Sequence, residues 1–169
     1  MTSSAPLGRG AISVASASFT RPNDTTQYAV ADLVANSTTN TSVVPLSMVV
    51  ASAAGAGAKI CRARLLKSAT SITSASFRIH LYRDSPTCAN GDNAAWSTTV
   101  SGYLGYIDLT MSQAFSDDAI GLGVVAVGDA IRCMPATGSR TIYALLEARA
   151  TYTPAAQEEF TLYLECEAD

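Results

Sequence analysis

The segment Phe77–Ser97, FRIHLYRDSPTCANGDNAAWS, contains the only histidine and the only tryptophan of the chain, and one of its four cysteines. Imidazole and thiol groups serve as general bases and nucleophiles, so catalysis is the first hypothesis for this segment. A catalytic imidazole also needs a nucleophile and an orienting carboxylate, and no GxSxG turn supplies the nucleophile. The sequence therefore favours a strand followed by a long exposed turn, with His80 as a surface or interface residue.

Four residues of this segment are candidate interface residues: Trp96, Tyr82, His80 and Cys88. The tryptophan has two interpretations of equal weight. It is either a lid over the edge of a sheet or an anchor in a protein interface. Cys88 lies in the predicted exposed turn, and it is the thiol best placed for a bond between subunits.

Other motifs that resemble catalytic or cofactor sites lack the context that their chemistry requires. Glu147 and Glu165 could supply the two carboxylates of a glycosidase, but both are predicted to point outward, where pairing with arginine such as Arg149 is favoured. The segment GLGVVA, Gly121–Ala126, matches a dinucleotide fingerprint but precedes a β-rich run rather than a helix. The turn DSPTCANGDN lacks the spacing of a calcium loop. We therefore expect neither an enzyme nor a bound cofactor.

The cysteines do not form a metal-binding pattern. Cys61, Cys88, Cys133 and Cys166 contain no CxxC pair, and a single histidine cannot complete a Cys/His zinc site. Cys61 and Cys166 alternate with polar residues and are predicted to face the core. Reduced thiols are the first expectation, and the three possible disulfide pairings stay open.

The elements that must position these residues are short strands with alternating polar and apolar side chains. About eight such strands are joined by turn-rich loops, which predicts an all-β fold: an antiparallel two-sheet sandwich of jelly-roll type. Residues 1–10 predict a flexible N-terminal arm, and residues 11–169 a single β-sandwich domain. The predicted core consists of Phe77, Ile79, Leu81, Ile142, Leu146, Phe160, Leu162 and Leu164.

Two strands have interrupted patterns. The first strand changes phase near Val14–Ala15, which predicts a bulge or a break there. A second interruption is expected near Gly128–Asp129.

Composition limits the classes of partner. Charged residues make up 15% of the chain, the net charge is -3 and the pI is ≈ 5.0, so a nucleic-acid backbone is not an expected partner. No long apolar run predicts a membrane span, and the first residues lack the pattern of a signal peptide. A neutral polar surface suits close contact with another protein.

Four segments carry a resemblance to a known family: ASFTRPNDTTQYAVADLVANSTT, FRIHLYRDSPTCANGDNAAWS, SGYLGYIDLTM and LLEARATYTPAAQEEFTLYLE. Over Ile12 to Cys166 the chain resembles a family of small proteins of tailed bacteriophages and prophages. The resemblance implies a virion component, a capsid cement or decoration protein that binds the exterior of the major capsid protein shell. It also implies a β-sandwich or jelly-roll module that works as a symmetric homo-oligomer, dimer or trimer, and is made in the host cytoplasm.

Two functions from different classes are thus expected. The first is the capsid decoration protein. The second is a tail- or fibre-associated carbohydrate-binding module that uses Trp96 and tyrosines to stack on sugars. The resemblance implies no catalytic residue, no metal and no cofactor.

Overall fold

The computed structural model describes residues 10–125 and 130–168, and within them it is all-β, without an α-helix. A single 3-10 turn spans Asn40–Ser42. No helix in the described part of the chain is long and apolar enough to cross a membrane. Ten strands are present where about eight were predicted: β1 Ile12–Thr20, β2 Leu33–Val34, β3 Leu46–Val49, β4 Ala58–Lys67, β5 Ser76–Tyr82, β6 Tyr103–Ala114, β7 Ala119–Val124, β8 Ile131–Cys133, β9 Thr141–Ala148 and β10 Glu159–Ala168.

The strands form one antiparallel sheet that is curled into a half-barrel, in the order β1-β10-β4-β7-β6-β5-β9-β2. Two short strands, β3 and β8, lie off this path, and each pairs along an edge that another strand also occupies. β3 pairs with β9 beside β2, and β8 pairs with β4 beside β7. One extra strand is the two-residue β2, which was not predicted, and the other arises because the predicted strand GVVAVGDAIRCM contributes to both β7 and β8. The long strand β6 joins both halves of the sheet, since it pairs with β5 along one part and with β7 along the other.

β1 and β3 face each other across an unbonded seam. Their Cα atoms approach to within 8 Å, but the described strands form no ladder between them. The N–H of Arg21 donates to the Glu158 carbonyl, and along β1 every second residue forms hydrogen bonds with β10 in this way. The backbone N–H and C=O groups of Ser16 and Ser18, which lie between those residues, therefore point away from β10, toward the seam. A depression of ≈ 400 Å³ lies there, between β1 and the segment that leads into β3.

The predicted core is confirmed. All eight of its residues are buried, because strands β5, β9 and β10 place every second side chain on the concave face of the half-barrel. Phe77 and Phe160 meet edge to face with ring centroids 5.4 Å apart. Glycines of β7 allow close packing against β6. A Cβ at Gly123 would lie 2.7 Å from the side chain of Ile107, so only glycine allows this approach.

The prediction for Cys61 is wrong. The pairing of β10 with β4 shifts register between Glu165 and Cys166, from Arg62 to Ile60, so Cys61 is the additional residue of a bulge. The bulge turns the Cys61 side chain to the exposed surface while Ile60 stays buried. Cys166 is buried as predicted, and burial raises the pKa of its thiol to about 12.

The predicted irregularity in β1 is also wrong. Its nine residues pair with β10 in one continuous register, from Ile12 opposite Glu167 to Thr20 opposite Glu159. The apparent change of phase arises because Ile12 and Val14 lie on the outer surface, while Ala15 and Phe19 face inward. The prediction assumed that large apolar side chains are buried, and here they are not.

Two buried ion pairs hold the loops against the half-barrel, and the sequence did not predict them. Arg21 binds Asp92 with 2.8 Å between Nη2 and Oδ2, and both side chains are fully buried. Lys67 binds Glu158 at 2.9 Å, also fully buried, and Glu158 accepts a further hydrogen bond from the Tyr152 hydroxyl. Each pair joins segments distant in the sequence, so together they fix the loop positions.

The predicted arm, residues 1–10, falls almost entirely outside the described residues, as does the expected interruption near Gly128–Asp129. Gly10 is described, and its N–H donates to the Ala168 carbonyl at 2.9 Å. This bond ties the start of β1 to the end of β10.

Candidate functional site

His80 lies beneath the surface instead of at it, which corrects the sequence prediction. It extends from β5 on the face opposite Ile79, and only 7% of it is exposed. Its Nε2–H donates to Glu147 Oε2 on neighbouring β9 at 2.7 Å, and the Tyr103 hydroxyl donates to Nδ1 at 3.0 Å. Arg149 binds the other oxygen of Glu147 at 2.8 Å. Burial lowers the pKa of His80, and this outweighs the opposing effect of Glu147.

Trp96 covers the imidazole. Its ring stacks on that of His80 with centroids 4.0 Å apart, so the lid interpretation describes its position. The loop that carries Trp96 is anchored by Asp92, which accepts hydrogen bonds from Arg21, from the Tyr28 hydroxyl at 2.6 Å and from the Ala35 N–H at 2.7 Å. The fold thus uses a buried carboxylate to set the position of a surface tryptophan.

The loop also needs a glycine. A Cβ at Gly91 would lie 2.1 Å from the carbonyl oxygen of Thr38, so no other residue fits without moving one of the two loops. The Asp92 N–H donates to Ser37 at this same crossing. Two loops that are remote in the sequence are therefore locked together directly before Trp96.

The four candidate interface residues lie in one region. Tyr82 and Cys88 are buried in a small cluster with Leu33, on which Trp96 and Tyr103 pack. Cys88 is not in an exposed position, because its strand-like segment pairs with Thr98, and burial raises the pKa of its thiol. The prediction that Cys88 is the accessible thiol is wrong; Cys61 is the exposed one.

Above this cluster lies a shallow depression of ≈ 180 Å³, which we call the aromatic pocket. Ring faces and the exposed Val100 dominate its surface. Most of its polar side chains are paired within the protein: His80 with Glu147 and Tyr103, and the Tyr82 hydroxyl with Thr98 at 2.6 Å. The pocket is lined by His80, Tyr82, Trp96, Thr98, Thr99, Val100 and Tyr103.

The charges around the aromatic pocket are also paired. Arg78 binds Asp108 through two hydrogen bonds of 2.7 and 2.8 Å, and its guanidinium lies 3.8 Å from the Tyr106 ring centroid. These bonds lower the pKa of Asp108. Arg83 and Asp84 form an exposed pair at the start of the loop. The pocket therefore lies in electrically balanced surroundings.

The line of groups Glu147, His80 and Tyr103 has the form of a carboxylate–imidazole–hydroxyl relay, but its chemistry is weak. The hydroxyl is a phenol, and burial raises the pKa of Tyr103 to about 12, so it stays protonated at neutral pH. A protonated phenol held against an imidazole orients the ring and does not attack a substrate. Among the described residues, no group of three or more His, Cys, Asp or Glu side chains could hold a metal ion.

A second surface, which we call the outer face, lies on the convex side of β1, β10, β4 and β7. It consists of two rows across these four strands. In the first row Val14, Glu165, Arg62 and Val124 are direct neighbours. The second row is Ser16, Tyr163, Arg64 and Leu122.

The outer face combines exposed apolar side chains with arginines. Val14, Leu122 and Val124 are 57%, 49% and 70% exposed. Between them Arg62 binds Glu165 at 2.5 Å, and Arg64 lies 4.4 Å from the Tyr163 ring centroid. The Nε atoms of both arginines are shielded from water and have no hydrogen-bond partner in the described part of the chain. Sequence analysis missed this face because it expected apolar residues of strands to be buried.

No protein-family model matches the chain, and no curated protein matches it.

Proposed function

We propose that this protein is a capsid decoration protein of a tailed bacteriophage, which binds the outside of the major capsid protein shell as a homo-oligomer. The observation that carries the proposal is the outer face. Three large apolar side chains are exposed across four adjacent strands, around arginine and tyrosine side chains. Arginine and tyrosine are enriched in protein interfaces, and an exposed apolar patch marks a surface that another molecule covers.

A modest interface is sufficient for such a protein. Each copy on a shell contributes a small contact area, and an oligomer that binds through several copies gains avidity. The internal ion pairs of Arg21 with Asp92 and of Lys67 with Glu158 support this role, because they leave a domain with fixed loops that binds without reordering.

The strand order supports a finer proposal for the fold. Apart from the short strands β2 and β8, the half-barrel divides into two groups of four strands, β1-β10-β4-β7 and β3-β9-β5-β6, which meet where β6 pairs with β7. Two such groups are the arrangement of a two-sheet jelly roll, an architecture found in viral capsid and lectin domains. We propose that the domain is a jelly roll of this type.

The test uses phage heads assembled without this protein, to which purified protein is added. We expect wild-type protein to bind in a copy number comparable to that of the major capsid protein, counted by quantitative mass spectrometry. The variant Val14→Asp should lose most of this binding, since it places a charge in the apolar outer face beside Glu165. The matched control is Val30→Asp, because Val30 is 55% exposed but lies in a loop away from this face.

Other results would overturn the proposal. Few copies per particle, located on the tail, together with binding of host surface glycans, would assign the protein to the carbohydrate-binding class. Hydrolysis of a cell-wall polymer that disappears on substitution of one carboxylate would make it an enzyme. Equal head binding by Val14→Asp and Val30→Asp would exclude the outer face as the capsid contact.

A further inference from the structure

The aromatic pocket selects against sugars. A sugar ring stacks on an aromatic face, but its hydroxyls also need hydrogen-bond partners, and binding sites provide a few polar groups for this purpose. Here the His80 ring nitrogens and the Tyr82 and Tyr103 hydroxyls are all engaged within the protein. Of the polar side-chain groups that line the pocket, this leaves the Thr99 hydroxyl and the Trp96 indole N–H for a ligand, which is few for the hydroxyls of a sugar, so an apolar ligand is the better fit.

Size and charge narrow the ligand further. A volume of ≈ 180 Å³ is close to that of a cavity of about 150 Å³ that binds benzene, so the pocket takes one or two small apolar side chains. The neighbouring charges are paired, as in Arg78 with Asp108 and Arg83 with Asp84, and they attract no net charge. Proline is well suited to such a site, because aromatic-lined grooves bind proline-containing extended segments at low entropic cost.

A segment of this composition occurs in the chain itself. Residues 1–9, MTSSAPLGR, contain the adjacent apolar pair Pro6 and Leu7 and no charged side chain before Arg9. They precede Gly10, which is tied to the end of β10. The composition of this segment thus matches the requirements of the aromatic pocket: it is uncharged before Arg9 and has a proline beside an aliphatic residue.

The segment reaches the pocket of its own chain only at the limit of its length. Pro6 is four residues from Gly10, so an extended backbone carries it at most about 14 Å. The aromatic pocket lies on β5 and β6, which are three and four strand positions from β1 across the seam. At about 4.8 Å per position this is roughly 14–19 Å along the surface, before any side chain is cleared. The pocket of a neighbouring copy has no such limit.

We propose that Pro6 and Leu7 of one copy bind in the aromatic pocket of a second copy, so that the N-terminal segment links subunits of a homo-oligomer. The inference rests on the proposed function only in taking the protein to work as a homo-oligomer. Its test needs no capsids, so either proposal can fail without the other.

The first experiment measures the mass of the purified full-length protein by sedimentation velocity over a range of concentrations. The double variant P6S/L7S should weaken self-association roughly tenfold or more, since it removes the apolar side chains that the pocket buries. V100D should have the same effect from the other partner, because Val100 is 84% exposed at the rim and its substitution spares the fold. The controls S3A/S4A and F115D should associate like the wild type, because Phe115 is 57% exposed and lies beyond the end of β6 that is remote from the pocket.

The second experiment uses Trp96, the only tryptophan, as a fluorescent reporter. The peptide MTSSAPLGR, titrated into full-length P6S/L7S, should change the emission in a saturable way, whereas MTSSASSGR should not. Unchanged association in both P6S/L7S and V100D, or no response to the first peptide, would overturn the proposal. A response to oligosaccharides but not to the peptide would assign the pocket to sugars and would overturn it as well.

Discussion

The aromatic pocket and the outer face are both surface regions that combine aromatic and exposed apolar side chains, but they differ in how completely their polar atoms are paired. In the pocket, His80, Tyr82 and Tyr103 each have a partner within the chain. On the outer face, the Nε atoms of Arg62 and Arg64 have none among the described residues. The His80, Tyr82 and Tyr103 side chains of the pocket are thus held by hydrogen bonds within the fold. On the outer face, two arginine Nε–H groups are left without an acceptor among the described residues.

This difference in hydrogen bonding predicts whether a substitution in each region changes the stability of the fold or the binding of a partner. Removing a polar atom near the pocket leaves a buried partner unsatisfied, so the effect appears in the stability of the fold. Removing a side chain of the outer face changes groups that water still reaches, so the effect appears in binding. Three predictions sharpen this comparison, beginning with the largest effect.

Asp92→Ala should cause the largest loss of stability. It leaves the fully buried Arg21 without its counter-ion and removes the acceptor for the Tyr28 hydroxyl. Breaking a buried pair in this way costs about 3–5 kcal/mol, measured as the free energy of unfolding in urea. The counterpart on the outer face, Glu165→Ala, should cost several-fold less, because both Arg62 and Glu165 are partly exposed. Equal losses in the two variants would remove the distinction between the regions.

Tyr103→Phe should have a smaller effect of the same kind. It removes the hydroxyl that donates to His80 Nδ1, and an unsatisfied buried acceptor costs about 1–2 kcal/mol. Tyr163→Phe on the outer face keeps the ring that stacks on Arg64, and it should stay within about 0.5 kcal/mol of the wild type. Thermal unfolding of the two variants, measured side by side, checks this. A larger loss in Tyr163→Phe would reverse the assignment.

The smallest effect is expected from pH. Burial lowers the pKa of His80, so the unfolded chain binds this proton more readily than the folded protein. The contribution of His80 to stability is therefore complete above its unfolded pKa of about 6.5 and is lost as the pH falls below it. We expect unfolding free energies to decrease more between pH 7.5 and pH 5.5, roughly one unit either side of that value, in the wild type than in His80→Gln.

The same pH series provides an internal comparison. The outer face contains no histidine, since the single histidine of the chain lies at the pocket. Binding to heads through the outer face should therefore show no contribution from His80 over this range, and wild type and His80→Gln should bind alike at each pH. If the wild type and His80→Gln show parallel pH profiles of unfolding free energy, the pocket imidazole is not the group that titrates.

Alternation in the sequence was sufficient to predict the all-β fold and the core. Strands β5, β9 and β10 have regular patterns, and their apolar residues are buried as predicted. The alternation of polar and apolar residues gave wrong predictions at two places, where the direction of a side chain depends on strand pairing. At Cys61 a single bulge residue turned the side chain outward, and in β1 the exposed Ile12 and Val14 imitated a change of phase. Neither is visible without the pairing of β10 with its two neighbours.

The region around Trp96 was predicted in part. The tryptophan, the histidine and Tyr82 do meet in one region, but their burial was not foreseen. Burial there depends on Asp92 and Arg21, which are 71 residues apart in the sequence. No periodic signal links such residues. The sequence carries one sign of this contact, which is Gly91 itself. A glycine at this position is compatible with the tight crossing of two loops at Thr38.

The position of β10 has a consequence for the synthesis of the chain. The last strand to be made lies between β1 and β4, and it is the sole ladder partner of β1 among the described strands. Until residues 159–168 leave the ribosome, the first strand has no hydrogen-bonding partner and the exposed edge of β4 stays open. Pairing across almost the full length of the chain is slow to form. Before β10 is made, a nascent chain therefore exposes the edges of β1 and β4, and the edge of β1 carries no charged residue that would oppose pairing with another chain.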